Sequence, residues 1–395
     1  MSEKKHYFLK NKDRAIARFG LQRRKVEQIF NGSKVEEGII EIVDLEILIP
    51  SMLPYELQSE CTPNTLHKWI KKRRVPKNRA FVDKILNTCI LNNDLMDYID
   101  ISLGFSLNDT YWIVPSECAY QWKDCNLYSN RFDEMLERVA FDGISYQASE
   151  LITTPEYTTY GALRKCWRNV GEEICLYKAS SQAFANGGKE AYGEFYMAQV
   201  AQTMGLECVA YDLKEYHQEI VSVCRLFTSE DVGFLSMYSC LDREERRLKK
   251  FDLLKAIQKI YGERALADLM IFDSLIYNTD RHLGNFGMLV SNEDNAFLKP
   301  APIFDNGLCV FNFLSDDELN DIPRALVGKT SKFDLSFTQQ MQIFATKEHI
   351  PMLENLREFE FVKHPQYNLP NHWLEGIAEF IRERAKEAIA IALKK

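Results

Sequence analysis

The chain has 395 residues, 46% hydrophobic and 27% charged, a balance that excludes an extended disordered polymer and is enough for two or three packed domains. Its 49 basic and 57 acidic residues leave a net charge of −8, which gives no general attraction to nucleic acid or anionic lipid. The opening "MSEKKHYFLKNKDR" lacks an apolar core, and "GIIEIVDLEILIPSML" is broken by Glu41, Asp44 and Glu46, so neither a secretory signal nor a membrane span is expected. Ten cysteines without CxxC pairing read as buried, reduced thiols of a cytoplasmic protein, although export without a cleavable signal stays compatible with the sequence.

In chain order, "HYFLK", "AIARFG", "GIIEIV" and "LEILIP" read as short strands, with a turn signal at Asn31-Gly32. Helices are expected on either side of Val75-Pro76, because proline disfavours helix at the residue before it. Residues 61–80 carry seven cations (Lys68, Lys71, Lys72, Arg73, Arg74, Lys77, Arg79) and no acid between Cys61 and Ala80. A helix-turn-helix reader of DNA would use such a patch, but in an acidic chain a solvated basic face is the reading preferred. The aromatic "LNDTYWIVPSECAYQWKDCNLYSN" reads as an irregular packed connector.

A new unit is expected near "ELITTPEYTTYGALRKCW". "EEICLYKA" alternates as a strand, with Ile174, Leu176 and Lys178 on one face; a helix follows over about 190–204, then the strand "EIVSVCRLF". "RALADLMIFDSLIY" is apolar nearly all round, as a buried helix would be. The last helix keeps three-and-four spacing through Trp373, Leu374, Ile377, Phe380, Ile381, Ala385, Ala388, Ile389 and Ala392. The expected fold is therefore α+β, strands early and helices late. Its expected divisions are an N-terminal strand and helical module (1–150), a strand-bearing lobe (151–232) and a helical lobe (233–395).

The chemistry concentrates in "NTDRHLGNFGMLVSNEDNAFLKPAPIFDNG", residues 278–307. Phosphoryl transfer needs a carboxylate to accept a proton, an amide and a second carboxylate for magnesium, and a lysine for phosphate oxygens. Asp280 and Asn285 stand five residues apart, the step found in the protein-kinase catalytic loop. A hairpin after them would return Asp305 of "FDNG" to the same place, with Gly307 permitting a sharp turn. Each residue alone fits ordinary loop chemistry; their order and spacing together are specific. His282 lacks companions for a zinc site and is expected to bond within the loop. Glu194, in line with Met197, Ala201 and Met204, points inward and needs a cation, for which Lys178 is the natural partner and Glu190 the competing acid. "VGKT" at 327–330 and "GGKE" at 187–190 are not P-loops: the first has Pro323 where glycine is required, the second lacks Ser or Thr after lysine.

"NTDRHLGNFG" followed by "APIFDNG" resembles the C-terminal catalytic motifs of the HipA-like serine/threonine kinases, and the layout is similar to the compact bacterial branch of that family. The resemblance runs from "LNDTYWIVP" through "TTPEYTTYGALRKCW" and "CLYKA" to "FDNG"; the first hundred residues are looser. It implies a two-lobed, protein-kinase-like fold that uses ATP and Mg2+ to phosphorylate Ser or Thr of a protein substrate, with room for an antitoxin or regulatory partner. It implies Asp280 as base, Asn285 and Asp305 as magnesium ligands, and Lys178 on the nucleotide phosphates. Thr158, Thr159 and Gly161 would lie in the phosphate-covering loop, steadied by Lys165, and the adenine would meet backbone near Leu226 and Phe227. This loop has one glycine rather than a run, and autophosphorylation there would fall on Thr158 or Thr159. The "DRH" and "D-x-G" steps are also similar to phosphoinositide kinases, so a lipid or small-molecule acceptor is an alternative. A nucleotide-holding pseudokinase and a DNA-binding regulator are the others.

Overall fold

The computed structural model describes residues 4–30, 33–88, 95–147, 154–181 and 188–395, with the side chains of 25–30 and 33–38 left aside. The Asn31-Gly32 turn, the expected boundary at 150/151 and most of "SQAFANG" lie outside the described residues. The chain is α+β, as expected, and divides into two compact units. One comprises 1–174, 228–234 and 290–297; the other comprises 175–227, 235–289 and 298–395. Among the described residues no helix is long and apolar enough to cross a membrane.

The first unit is built on an antiparallel sheet of β1 (Lys4–Asn11), β2 (Arg14–Phe30), β3 (Ser33–Ile47) and β4 (Tyr111–Pro115), in the order β3-β2-β1-β4. β3 is one strand where the sequence suggested two; the register shifts opposite Arg18 and Gly20, and Asp44 takes a left-handed φ of 51°. β4 lies inside the stretch expected to be irregular. All five of its residues are buried, so it has no polar alternation to betray it. Tyr7, Leu9, Phe19, Leu21, Trp112 and Ile113 are buried in this sheet, with Trp112 and Ile113 on opposite faces.

The basic stretch is not simply a solvated face. α1 (Pro63–Lys72) ends at Arg73, a buried guanidinium that clasps Asp109 with two bonds (2.6 and 2.9 Å) and also donates to Gly104 O and Tyr111 O. Lys72 pairs with Glu56 at 2.6 Å. Arg79 is buried and donates to Leu163 O, while Val75 N–H donates to Tyr157 O and Ala80 N–H to Ala162 O. Residues 75–80 therefore template the 155–165 loop, and only Lys68, Lys71 and Lys77 of the seven cations are exposed. In that loop Lys165 Nζ donates to Tyr160 O at 2.7 Å and Gly161 has a φ of 94°. Thr158 and Thr159 both donate to Pro155 O, and the Thr159 hydroxyl also accepts from Trp167 Nε1.

In the second unit β6 (Glu173–Ala179) and β7 (Tyr211–Tyr216) flank β8 (Glu219–Arg225), all antiparallel, with Lys178 opposite Ser222; β5, Lys165–Val170, precedes them in the chain. α2 (Glu190–Thr203) joins β6 to β7. α3 (Glu263–Ile276) is buried nearly all round, and the chain then forms β9 (Gly287–Ser291) and β10 (Phe297–Pro300). α4 (Phe337–Phe344) and α5 (Asn371–Ala392) pack beside α3; of the spacing residues on α5 only Ile389 is half-buried rather than buried. The nine described cysteines are free, but Cys61, Cys118, Cys208 and Cys224 are half-buried rather than in the core.

Glu156 is 1% exposed; it accepts from Trp167 N–H and faces Arg79 at 3.3 Å. Burial pushes its carboxyl up to about 7, against the pull of Arg79. An acid whose folded pKa is raised binds its proton more tightly folded than unfolded, so the favourable term is whole below pH 4.5 and fades as pH climbs toward 7. Urea midpoints of the parent should therefore fall across that window, and Glu156→Gln should flatten the slope.

Candidate active site

Lys178 lies near the end of β6 on its half-buried face, with Ile174 and Leu176, and its ammonium is shared by two carboxylates: Glu194 of α2 at 2.8 Å and Asp305, in close contact. Burial alone would depress this lysine; Asp305 and Glu194 reverse that and hold it above its ordinary value. Glu194 is 1% exposed, and burial pushes its carboxyl up while Lys178 pulls it down. Its second oxygen accepts Asn306 N–H at 2.8 Å, so both of its oxygens are engaged and the pair is held as ammonium and carboxylate. Glu190, the competing acid, instead takes the hydroxyl and N–H of Ser181.

The turn carrying Asp305 is set by contact rather than by Gly307's conformational freedom. Asp305 itself has the left-handed φ (57°), and its N–H donates to Tyr211 Oη at 3.1 Å. Gly307 has no positive φ among the described glycines; a Cβ there would stand 3.0 Å from Glu190 O and 3.2 Å from Glu194 Oε1. The approach is mutual, because a Cβ on Gly193 would meet Gly307 O at 2.7 Å. Two glycines thus let the α2 backbone lie directly on the Asp305 turn.

Asp280 and Asn285 lie in the loop after α3. Asn285 is buried and its Nδ2 donates to Asp280 O at 3.0 Å, which leaves its carbonyl oxygen for another role. Asp280 N–H donates to Asn278 Oδ1, and its carboxylate lies 3.2 Å from Lys332 Nζ. The exposed His282 ring accepts Gly284 N–H at 3.0 Å, the within-loop bond expected of it.

The residue that joins these pieces is Arg281, which sequence reasoning passed over. It is 1% exposed and pairs with Asp273 of α3, also buried, at 3.0 Å. The same guanidinium donates to Asn285 O at 3.0 Å, to Phe304 O, and to Asn306 Oδ1 at 2.6 Å. Asn285 and both residues flanking Asp305 thus meet on one cation, the residue that follows Asp280. A signal existed: Asp273 is an acid in an otherwise apolar helix, so it demanded a partner by the reasoning that singled out Glu194.

Phe227, after β8, packs against Phe304 with centroids 5.5 Å apart, and Leu226 beside it is half-buried. Thr158, Thr159, Gly161 and Lys165 belong to the first unit and are described there. Lys178, Glu194 and Asp305 are in direct contact, and Asp280 and Asn285 are hydrogen-bonded neighbours. Such a site can hold a polyanion through its ammonium, a hard cation through one amide and one carboxylate oxygen, and a proton on Asp280.

Breaking Arg281–Asp273 by Arg281→Met should cost about 3–5 kcal/mol, because Asp273 is left charged and buried. The double variant Asp273→Leu/Arg281→Met should regain most of that stability in urea unfolding, yet leave the two loops without their shared donor. Gly193→Ala should destabilise by about 1–3 kcal/mol despite alanine's better helix propensity, since the new methyl strikes a backbone carbonyl; thermal unfolding checks the sign.

Residues 151–387, more than half of the chain, match the family model described as HipA-like C-terminal domain. A curated relative, the serine/threonine-protein kinase CtkA of Helicobacter pylori, is 28% identical over 141 residues, a match spanning 33% of this chain and 42% of that protein. Among solved structures, the Helicobacter pylori proinflammatory kinase CtkA aligns with a TM-score of 0.46 at 18% identity, covering 59% of this chain and 91% of the other. HipA of Shewanella oneidensis, in its complex with HipB and operator DNA, aligns with a TM-score of 0.48 at 10% identity, covering 98% and 97%. The chain belongs to the HipA-like C-terminal domain family.

Proposed function

We propose that the protein is an ATP- and magnesium-dependent kinase that phosphorylates Ser or Thr of a protein substrate. The observation that carries this reading is the Lys178–Glu194 pair joined to Asp305, because phosphoryl transfer in protein kinases depends on such a lysine–glutamate pair beside the metal-binding aspartate. Family membership and the likeness to a serine/threonine kinase support it.

The donor set fits magnesium. Asn285 offers a carbonyl oxygen and Asp305 a carboxylate, and magnesium typically takes one or two protein oxygens and completes its shell with water and phosphate. Bound there, the ion would neutralise charge on the transferred phosphoryl group. Lys178 binds phosphate oxygens, and Glu194 shares its ammonium with Asp305 and holds it in place. Asp280, more than a third exposed, takes the acceptor hydroxyl's proton. The adenine packs near Leu226 and Phe227, within residues 151–232 as the nucleotide-binding lobe, and 233–395 supply the catalytic loop. HipA of the solved complex is bound to HipB and DNA, and an antitoxin-like partner is carried over from it as part of this proposal.

Incubation with γ-labelled ATP, magnesium and cell extract should label protein on Ser or Thr. Asp280→Asn and Asp305→Asn should each lower transfer at least about a hundredfold. Equal labelling by parent and both variants contradicts the reading; labelled lipid or small molecule in place of protein assigns a different acceptor.

A further inference from the structure

The Asp280 carboxylate has a partner that no motif foretold. Lys332 Nζ stands 3.2 Å from Asp280 Oδ1, with the two side chains 49% and 36% exposed. A pair so open to water contributes about 0–1 kcal/mol to stability, too little to explain how firmly Lys332 is presented.

The presenting loop is constructed. Ser331, Phe333 and Leu335 are buried, while Lys332 and Asp334 between them face out. Ser331 N–H donates to Leu335 O at 2.9 Å, and Asp334 N–H donates to Ser331 O at 3.1 Å, with Asp334 at a left-handed φ of 56°. Thr330 and Ser336 close the loop as an antiparallel bridge, and Ser336 caps α4 through Gln339 N–H. On α4 the buried Gln340 donates to Met270 O and Ser274 Oγ of α3. α3 is the helix that delivers the Asp280 loop, so both members of the pair are fixed to one frame.

We propose that Lys332 is a positioning residue of the phosphoryl transfer, a step that rests on the kinase reading above. Its ammonium orients the Asp280 carboxylate toward the incoming hydroxyl. The acceptor oxygen bonds to the γ-phosphorus as the bond to the ADP oxygen breaks; the hydroxyl proton passes to Asp280, and Lys332 keeps its own proton throughout. The Lys332–Asp280 pair does not include Lys178, so Lys332 acts on the transfer and not on ATP binding.

The experiment measures label transfer from γ-labelled ATP to the proteins of the same cell extract and to water by the full chain, its Lys332→Met and Lys332→Arg variants. Lys332→Met should lower kcat about a hundredfold with KM for ATP within about twofold and the thermal midpoint unchanged; Lys332→Arg should recover part of the loss. A parent that transfers label with Lys332→Met equally fast overturns this proposal alone. So does a loss of rate that comes with a raised KM and a lowered midpoint. A parent that transfers to neither acceptor overturns the proposal together with the kinase reading.

Discussion

One buried guanidinium organises this site. Arg281 and Asp273 are each about 1% exposed, and burial works against both charges: it pushes the Asp273 carboxyl up while Arg281 pulls it down. Such a pair is a poor source of stability compared with well-packed hydrocarbon. Its worth lies in geometry, because a planar fork with five donors can satisfy three separate chain segments at once. From it runs an unbroken polar path: Asp280 O to Asn285 Nδ2, Asn285 O to Arg281, Arg281 to Asn306, Asn306 N–H to Glu194, Glu194 to Lys178. Every reactive group named above touches that path or adjoins it.

The second constraint is charge balance around Lys178. One ammonium faces two carboxylates, and one of the two, Glu194, is fully enclosed. The other belongs to a turn that two glycines allow to lie against α2. The cluster carries more negative charge than its lysine offsets, which favours a divalent cation at the more open acid. α2, the Asp305 turn and the Asp280 loop are already mutually bonded.

Much of this was legible from residues alone. The inward direction of Glu194 followed from helical spacing, and the cost of burying a bare carboxylate named Lys178. The step from Asp280 to Asn285 and the hairpin to Asp305 followed from order and turn signals. What escaped shared a physical cause: its meaning is non-local. Arg281 looked like one more loop cation until Asp273 and the carbonyls of 285 and 304 surrounded it. Arg73 and Arg79 read as surface charge, although Asp109 and the 155–165 loop take them inside. β4 hid because a strand buried on both faces has no alternation. Gly307 was singled out for the wrong reason, since close approach of α2 is what excludes a side chain there.

On the proposed reading, Asn285 and Asp305 hold one divalent ion between the Lys178 cluster and the Asp280 loop. Crystals grown with manganese and a non-hydrolysable ATP analogue test it most directly through the metal's anomalous signal. The expected result is a peak coordinated by Asn285 Oδ1, an Asp305 carboxylate oxygen and the phosphates. A nucleotide bound with its metal away from both side chains would contradict it.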